Sequence, residues 1–123
     1  MLTSLKLHLE GTADVKICDR TGLLTDFQCR QQAVIQEKIE LPNRLTFNIN
    51  THGSLELKEL WLGNIKLPQW ILYQICTFTN IDNTDKITTF WNSPGTVSID
   101  FFAPDFIQYH LIYGNKFTAT GAA

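Results

Sequence analysis

Leu5, Leu7 and Leu9 alternate with Lys6, His8 and Glu10, the period of two that a strand shows when one face is buried and the other meets water. Gly11 closes this run. Ala13, Val15 and Ile17 then alternate with Asp14 and Lys16 up to Asp19-Arg20-Thr21-Gly22, whose composition is that of a turn. The two runs read as a hairpin. Leu23 to Arg30 has mixed spacing and reads as an irregular or short strand. Val34 to Leu41 puts Ile35, Ile39 and Leu41 on one face, with Glu37 the exception, before Pro42-Asn43 interrupts the chain. Leu45, Phe47 and Ile49 form a further strand, which Thr51-His52-Gly53 turns back. Leu55 and Leu57 restart the alternation, but Leu60 and Leu62 continue it out of phase, which predicts one extra residue, a bulge, near Lys58-Glu59.

The stretch LWLGNIKLPQW, Leu60 to Trp70, sets apolar residues on both sides of Gly63-Asn64. Glycine in first position suits a two-residue type II′ hairpin that pairs Trp61 and Leu62 with Ile65 and Lys66. If Leu60 and Leu62 face inward, Trp61 faces outward. Pro68 to Ile75 carries helical spacing at Ile71, Leu72 and Ile75. A strand from Trp70 to Thr79 competes with it, and the β-formers Ile71, Tyr73, Ile75, Thr77 and Thr79 favour the strand. Asn80 to Asp85 reads as a polar loop, Ile87 to Trp91 as a short strand and Ser93-Pro94-Gly95 as a turn. Val97, Ile99 and Phe101 form another strand, and after Ala103-Pro104-Asp105 a final strand runs from Phe106 to Tyr113. About eight to ten short strands, with turn signals roughly every 8 to 12 residues, predict an all-β fold, a single antiparallel β-sandwich of jelly-roll-like form.

Composition fits that reading and narrows the function. A chain of 123 residues is the size of one domain, 1–123, with 118–123 a short tail that frays alone. At 44% hydrophobic and 18% charged it is no disordered segment. The net charge of −2, with no basic block, argues against nucleic acid. No apolar run approaches the about 20 residues that span a bilayer, so no membrane partner is expected. MLTSLKLHLE alternates and does not form a signal-peptide core, so the chain is expected to start at Met1 and to be soluble and cytoplasmic when made. Cys18, Cys29 and Cys76, odd in number and widely spaced, read as reduced, partly buried thiols and not as a disulfide framework or zinc site.

No reaction motif emerges. The three histidines, His8, His52 and His110, sit in different contexts. Alternation turns His8 and His110 outward on the first and last strands, where sheet neighbours could bring them together, but two ligands make a poor metal site. Asp100 and Asp105 flank Phe101-Phe102-Ala103-Pro104 and read as turn-capping residues before any ligand role. The 80–85 loop spaces oxygens as calcium loops do, yet lacks the glycine and distant glutamate of an EF-hand. An enzyme, a cofactor and a metal are therefore not expected. Aromatic residues with polar edges are the best lead: Trp61, Trp70, Trp91 and Tyr109, with Asp100 beside them, are the candidate interaction residues.

The segments LELKELWLGNIKLPQWILYQICTF and FWNSPGTVSIDFFAPDFIQYHLIYGNKF resemble, in style, the small all-β structural proteins of tailed bacteriophages, of the head decoration or tail accessory kind. The likeness covers about half of the chain and has no diagnostic motif. It implies a virion component that assembles with other protein subunits, as a homo-oligomer or on a larger assembly. The phrase ELWLGNIKL is also similar to the strand patterns of carbohydrate-binding modules, which implies a glycan partner, but the chain lacks the carboxylate cluster of their calcium-dependent members, so no ligand residues carry over from them. From its own residues, a glycan site would use Trp61 or Trp91 and Tyr109 as a platform and Asp100 or Asn92 to read hydroxyls.

Overall fold

Apolar residues at every second position do build strands here, but the strands run further than the turn signals imply. In the computed structural model, which describes residues 2–80, 85, 86 and 88–117 and the side chains of all of these but 85, 86 and 114–117, the first half of the chain is three long strands. They are β1 (Leu2–Asp19), β2 (Gly22–Glu40) and β3 (Arg44–Leu62). The hairpin expected within residues 5–17 is thus one strand, and so is the stretch that Thr51-His52-Gly53 was expected to end. Five short strands follow among the described residues: β4 (Ile65–Lys66), β5 (Cys76–Asn80), β6 (Asp85–Lys86), β7 (Phe90–Trp91) and β8 (Gly95–Asp100). The loop residues 81–84, Ile87 and the tail 118–123 lie outside the described residues.

All pairings are antiparallel, in the order β2-β1-β3-β8-β5-β6, with β4 and β7 also paired to β3. The fold is an all-β antiparallel sandwich whose inward faces enclose one core. Leu5, Leu7, Leu9, Ala13, Val15 and Ile17 of β1 are all inward, and Leu45, Phe47, Ile49, Leu55 and Leu57 of β3 meet them. Each such leucine, isoleucine, valine or phenylalanine contributes roughly 1.5–3 kcal/mol by leaving water.

The strands stay continuous because they change course together. Gly11 of β1 faces Gln31 of β2, which has φ 75°, and Leu55 of β3. Between Gly11 and Ala13 the β1–β3 register slips, so that β1 advances from 11 to 13 while β3 runs from Leu55 to Thr51. Gly11 itself has φ 136°, and a Cβ there would lie 2.0 Å from the Ser54 carbonyl oxygen and 2.8 Å from Leu55 Cα. Only glycine lets the two backbones cross this closely. A second slip, between His8 and Leu9, leaves Lys58 without a partner on β1. This is the bulge that the phase change at Leu60 predicts.

Two expected strand segments are helical instead. Gln69–Ile75 forms α1, with Pro68 before it and the Pro68 carbonyl accepting from the N–H groups of Ile71 and Leu72. Ile71, Leu72 and Ile75 are buried while Trp70, Tyr73 and Gln74 are exposed. That spacing of one and four matches a helix face; a strand would have buried Tyr73 with Ile71 and Ile75. Pro104–Phe117 forms α2, where the final strand was expected. Pro104 suits a first helical turn, and the Ala103 carbonyl accepts from Ile107 N–H at 3.0 Å. The β propensity of Phe106 to Tyr113 is overridden by docking: Phe106 is fully buried and its ring lies 4.8 Å from that of Phe101.

Asn43 joins the ends of the long strands. Its Oδ1 accepts from Arg44 N–H and Arg20 N–H, its Nδ2 donates to Asp19 Oδ2, and its carbonyl accepts from Phe101 N–H. Burial pushes the Asp19 carboxyl up, but hydrogen bonds from Thr21 side chain and backbone, from Asn43 and from Gly22 outweigh it and hold the group below its ordinary 3.8.

The crossing at Gly11 is the position most sensitive to substitution. Gly11→Ala is expected to lower stability by about 3 kcal/mol or more, combining a disallowed φ with backbone overlap, whereas exposed Thr12→Ala shifts it by less than about 0.5 kcal/mol. Urea unfolding of the two variants gives the comparison, and equal midpoints would show that the crossing is not tight.

Candidate functional site

Alternation that sends leucines inward sends polar residues out. The outward side chains of β1 include Ser4, Lys6, His8, Glu10, Thr12, Asp14 and Lys16, and the sheet register sets Lys6 between Gln36 of β2 and Trp61 of β3. The Lys58 bulge decides which way Trp61 points. Without it, the phase of Leu55 and Leu57 would carry on to turn Trp61 inward; with it, Leu60 and Leu62 are buried and Trp61 is half-buried on the outer face.

The β3–β4 hairpin closes around this tryptophan. Trp61 pairs with Lys66 and Leu62 with Ile65, as expected, and the positive φ of 57° falls on Gly63 and not on Asn64, the form of a type II′ turn. Gly63 N–H donates to the Ser4 carbonyl at 2.9 Å. The result is a depression of about 630 Å³ whose lining includes Ser4, Lys6, Gln36, Glu37, Lys38 and Trp61.

Trp61 is fixed at its edge and covered on its ring. Its Nε1–H donates to Glu59 Oε1 at 3.0 Å, and Glu59 Oε2 lies 3.4 Å from Lys66 Nζ. Lys6 Nζ sits 4.7 Å from the indole centroid, a cation–π contact. The bond from Trp61, with that from Lys66 and the charges of Lys66 and His8, outweighs desolvation and holds the Glu59 carboxyl below its ordinary 4.5.

Beyond Gly11 the outer face continues as two further depressions. One of about 360 Å³ includes Thr12, Asp14, Gln28, Arg30 and His52; the other, of about 540 Å³, includes Asp14, Lys16, Asp26, Asn48 and Asn50. His52 Nε2 lies 3.2 Å from Asp14 Oδ2. Amides, carboxylates and cations arranged this way suit hydrogen bonding to a polar ligand. The two buried thiols are not poised as nucleophiles. Burial pushes the Cys76 thiol up to about 12 and raises that of Cys29, so both stay protonated near neutral pH. Among the described residues no group of three His, Cys, Asp or Glu is placed to hold a metal.

The other sequence candidates fall elsewhere. Trp91 is not outward: it is fully buried opposite Leu55, its Nε1–H donating to the Thr88 carbonyl, while Phe90 is exposed. Burial removes Trp91 from any surface platform. Trp70 of α1 and Tyr109 of α2 form an edge-to-face pair at 6.3 Å, and Tyr109 continues to Tyr113 at 4.6 Å. Asp100 does turn duty, its Oδ1 accepting from Phe102 N–H at 2.9 Å, and it lies 3.5 Å from Arg44. His110 stands on α2 beside Phe106 and His8 on β1 near Glu10, so no sheet register joins the two histidines. Sequence reasoning found Trp61 but missed Ser4, Lys6, Gln36 and Lys38. Their outward phase was legible; the pairing that sets them beside Trp61 was not.

No family model and no curated protein matches this chain. Its structure is similar to a solved carbohydrate-binding module, "vCBM60 in complex with galactobiose". The TM-score is 0.52 at 10% sequence identity, over 79% of this chain and 97% of that one. The likeness is one of fold, and it agrees with the β-sandwich expected from the sequence.

The Glu59 carboxylate anchors Trp61, and the depressed pKa fixes the sign of its pH dependence. The bond is intact above the ordinary glutamate value of 4.5 and is lost as pH falls through the lower folded value. Fluorescence of the wild type minus that of Trp61→Phe is expected to be flat from pH 5 upward and to change only below about 4.5. A transition near neutral pH would show that another group holds the ring.

Proposed function

We propose that the chain is a non-catalytic carbohydrate-binding β-sandwich and that the depression beside Trp61 holds the sugar. The observation that carries this reading is the placement of one half-exposed indole, anchored at its N–H edge, beside a depression whose lining residues bring hydroxyl, amide, ammonium and carboxylate groups. A sugar ring has an apolar face that stacks on an aromatic ring and a hydroxyl rim that exchanges hydrogen bonds with such groups. The similar module binds galactobiose, which makes galactose-containing oligosaccharides the first ligands to try. Trp61→Ala is expected to weaken glycan binding by about 30-fold or more while leaving the unfolding midpoint close to that of the wild type. Glycan-array screening followed by calorimetry on both chains tests it. Full binding by the variant would move the site elsewhere, and a chain that binds no glycan would overturn the reading.

A second reading, a structural subunit that assembles through protein contacts, is favoured by a different surface. Trp70, Tyr73, Leu111, Ile112 and Tyr113 on α1 and α2 are exposed, Leu111 by 82%, and apolar groups gathered this way often mark contact surfaces. The observation supports assembly as such; a virion setting rests on the likeness of sequence style. Light scattering over a concentration series is expected to show association at micromolar protein that Leu111→Lys weakens, and a monomer throughout would remove this reading.

A further inference from the structure

The depression beside Trp61 is lined by two cations, Lys6 and Lys38, against one carboxylate residue, Glu37, in a chain of net charge −2. Lys6 points outward from β1 and Lys38 from β2; Ser4 pairs with Lys38 and Lys6 with Gln36, so the two lysines stand one outward position apart on neighbouring strands. Such diagonal neighbours are within reach of one small group. Among the described residues Lys38 makes no ion pair. Of the nearby carboxylates, Glu59 is engaged by Trp61 and Lys66, Glu37 lines the same depression from a half-buried position in the inward phase of Ile35 and Ile39, and Glu40 lies one outward position beyond Lys38, opposite Leu2.

Lys6 covers the ring that a sugar must reach. Its ammonium lies over the indole, and a ligand that stacks there has to move it. A neutral sugar offers that ammonium only hydroxyl groups. An anionic substituent offers a charge-assisted hydrogen bond, stronger than an exposed cation–π contact, and so draws the flexible lysine off the ring as the sugar goes on. Lys38, a donor with no ion-pair acceptor among the described residues, completes the same anion site.

We propose that the site takes an anionic saccharide, its ring stacked on Trp61 and its carboxylate or sulfate held between Lys6 and Lys38. The proposal rests on the carbohydrate-binding reading and goes beyond it in naming the charge of the ligand. Calorimetry of the full chain with digalacturonate, with a sulfated galactose disaccharide and with galactobiose, at about 20 mM and about 300 mM salt, tests it. At low salt at least one anionic disaccharide is expected to bind about tenfold more tightly than galactobiose. That preference shrinks at high salt, and Lys38→Gln, on an exposed strand position, removes most of it. Which of the two anionic ligands binds more tightly tells a carboxylate site from a sulfate site. Galactobiose bound as tightly as both, without salt dependence, would overturn the anionic ligand and leave the carbohydrate reading standing. Anionic preference untouched by Lys38→Gln would overturn the assignment to these lysines. Failure to bind all three, and every glycan of an array, would overturn both readings.

Discussion

Everything in the long-stranded half of this molecule depends on the contact of two backbones at Gly11. There the carbonyl of Ser54 occupies the space in which any other residue would carry a Cβ, so β1 and β3 cross without separating. The inward phase of β1 passes through the crossing unchanged, from Leu9 to Ala13, while β3 absorbs the difference in path with extra residues between Thr51 and Leu55. One ladder therefore serves both halves of the core, where broken strands would each have needed their own turn and their own edge.

The same ladder creates the candidate site. A sheet with one buried face has no choice about its other face: each leucine that goes in sends a neighbour out. What the bulge at Lys58 adds is a change of phase at one place, which keeps Leu60 and Leu62 in the core and turns Trp61 to the outer surface. Lys6 then lies over the indole and Gln36 lines the same depression, because Gln36, Lys6 and Trp61 are in register across three strands. The site is thus a by-product of core building, displaced by one residue.

Charge distribution gives the outer face its character. With a low share of charged residues, the chain places Lys6, His8, Glu10, Lys58, Glu59 and Lys66 on neighbouring strand positions. Most of them pair with one another, and exposed pairs of this kind add little to stability. Their effect is on what the face can receive: acceptors satisfied by Trp61 and Lys66 on one side, and donors left facing the depression on the other.

Much of this was legible from residue order. The alternation of Leu5, Leu7 and Leu9, the phase break before Leu60, the turn at Gly63-Asn64 and the outward direction of Trp61 all follow from side-chain period and turn chemistry, which are local properties of the chain. What local rules could not decide was settled by contacts far apart in sequence. Gly11 and Gly53 read as strand ends because a glycine that permits a close crossing and one that ends a strand look alike until the partner is known. The β-forming residues of Phe106 to Tyr113 became a helix because Phe106 had Phe101 to pack against, and Trp91 went inward because β7 pairs with β3 at Leu55. In the long strands the sequence by itself determined which side chains share a face; the tertiary structure alone decided which faces meet and which later segments became helices, because register between strands is set by packing across tens of residues and leaves no mark on either strand.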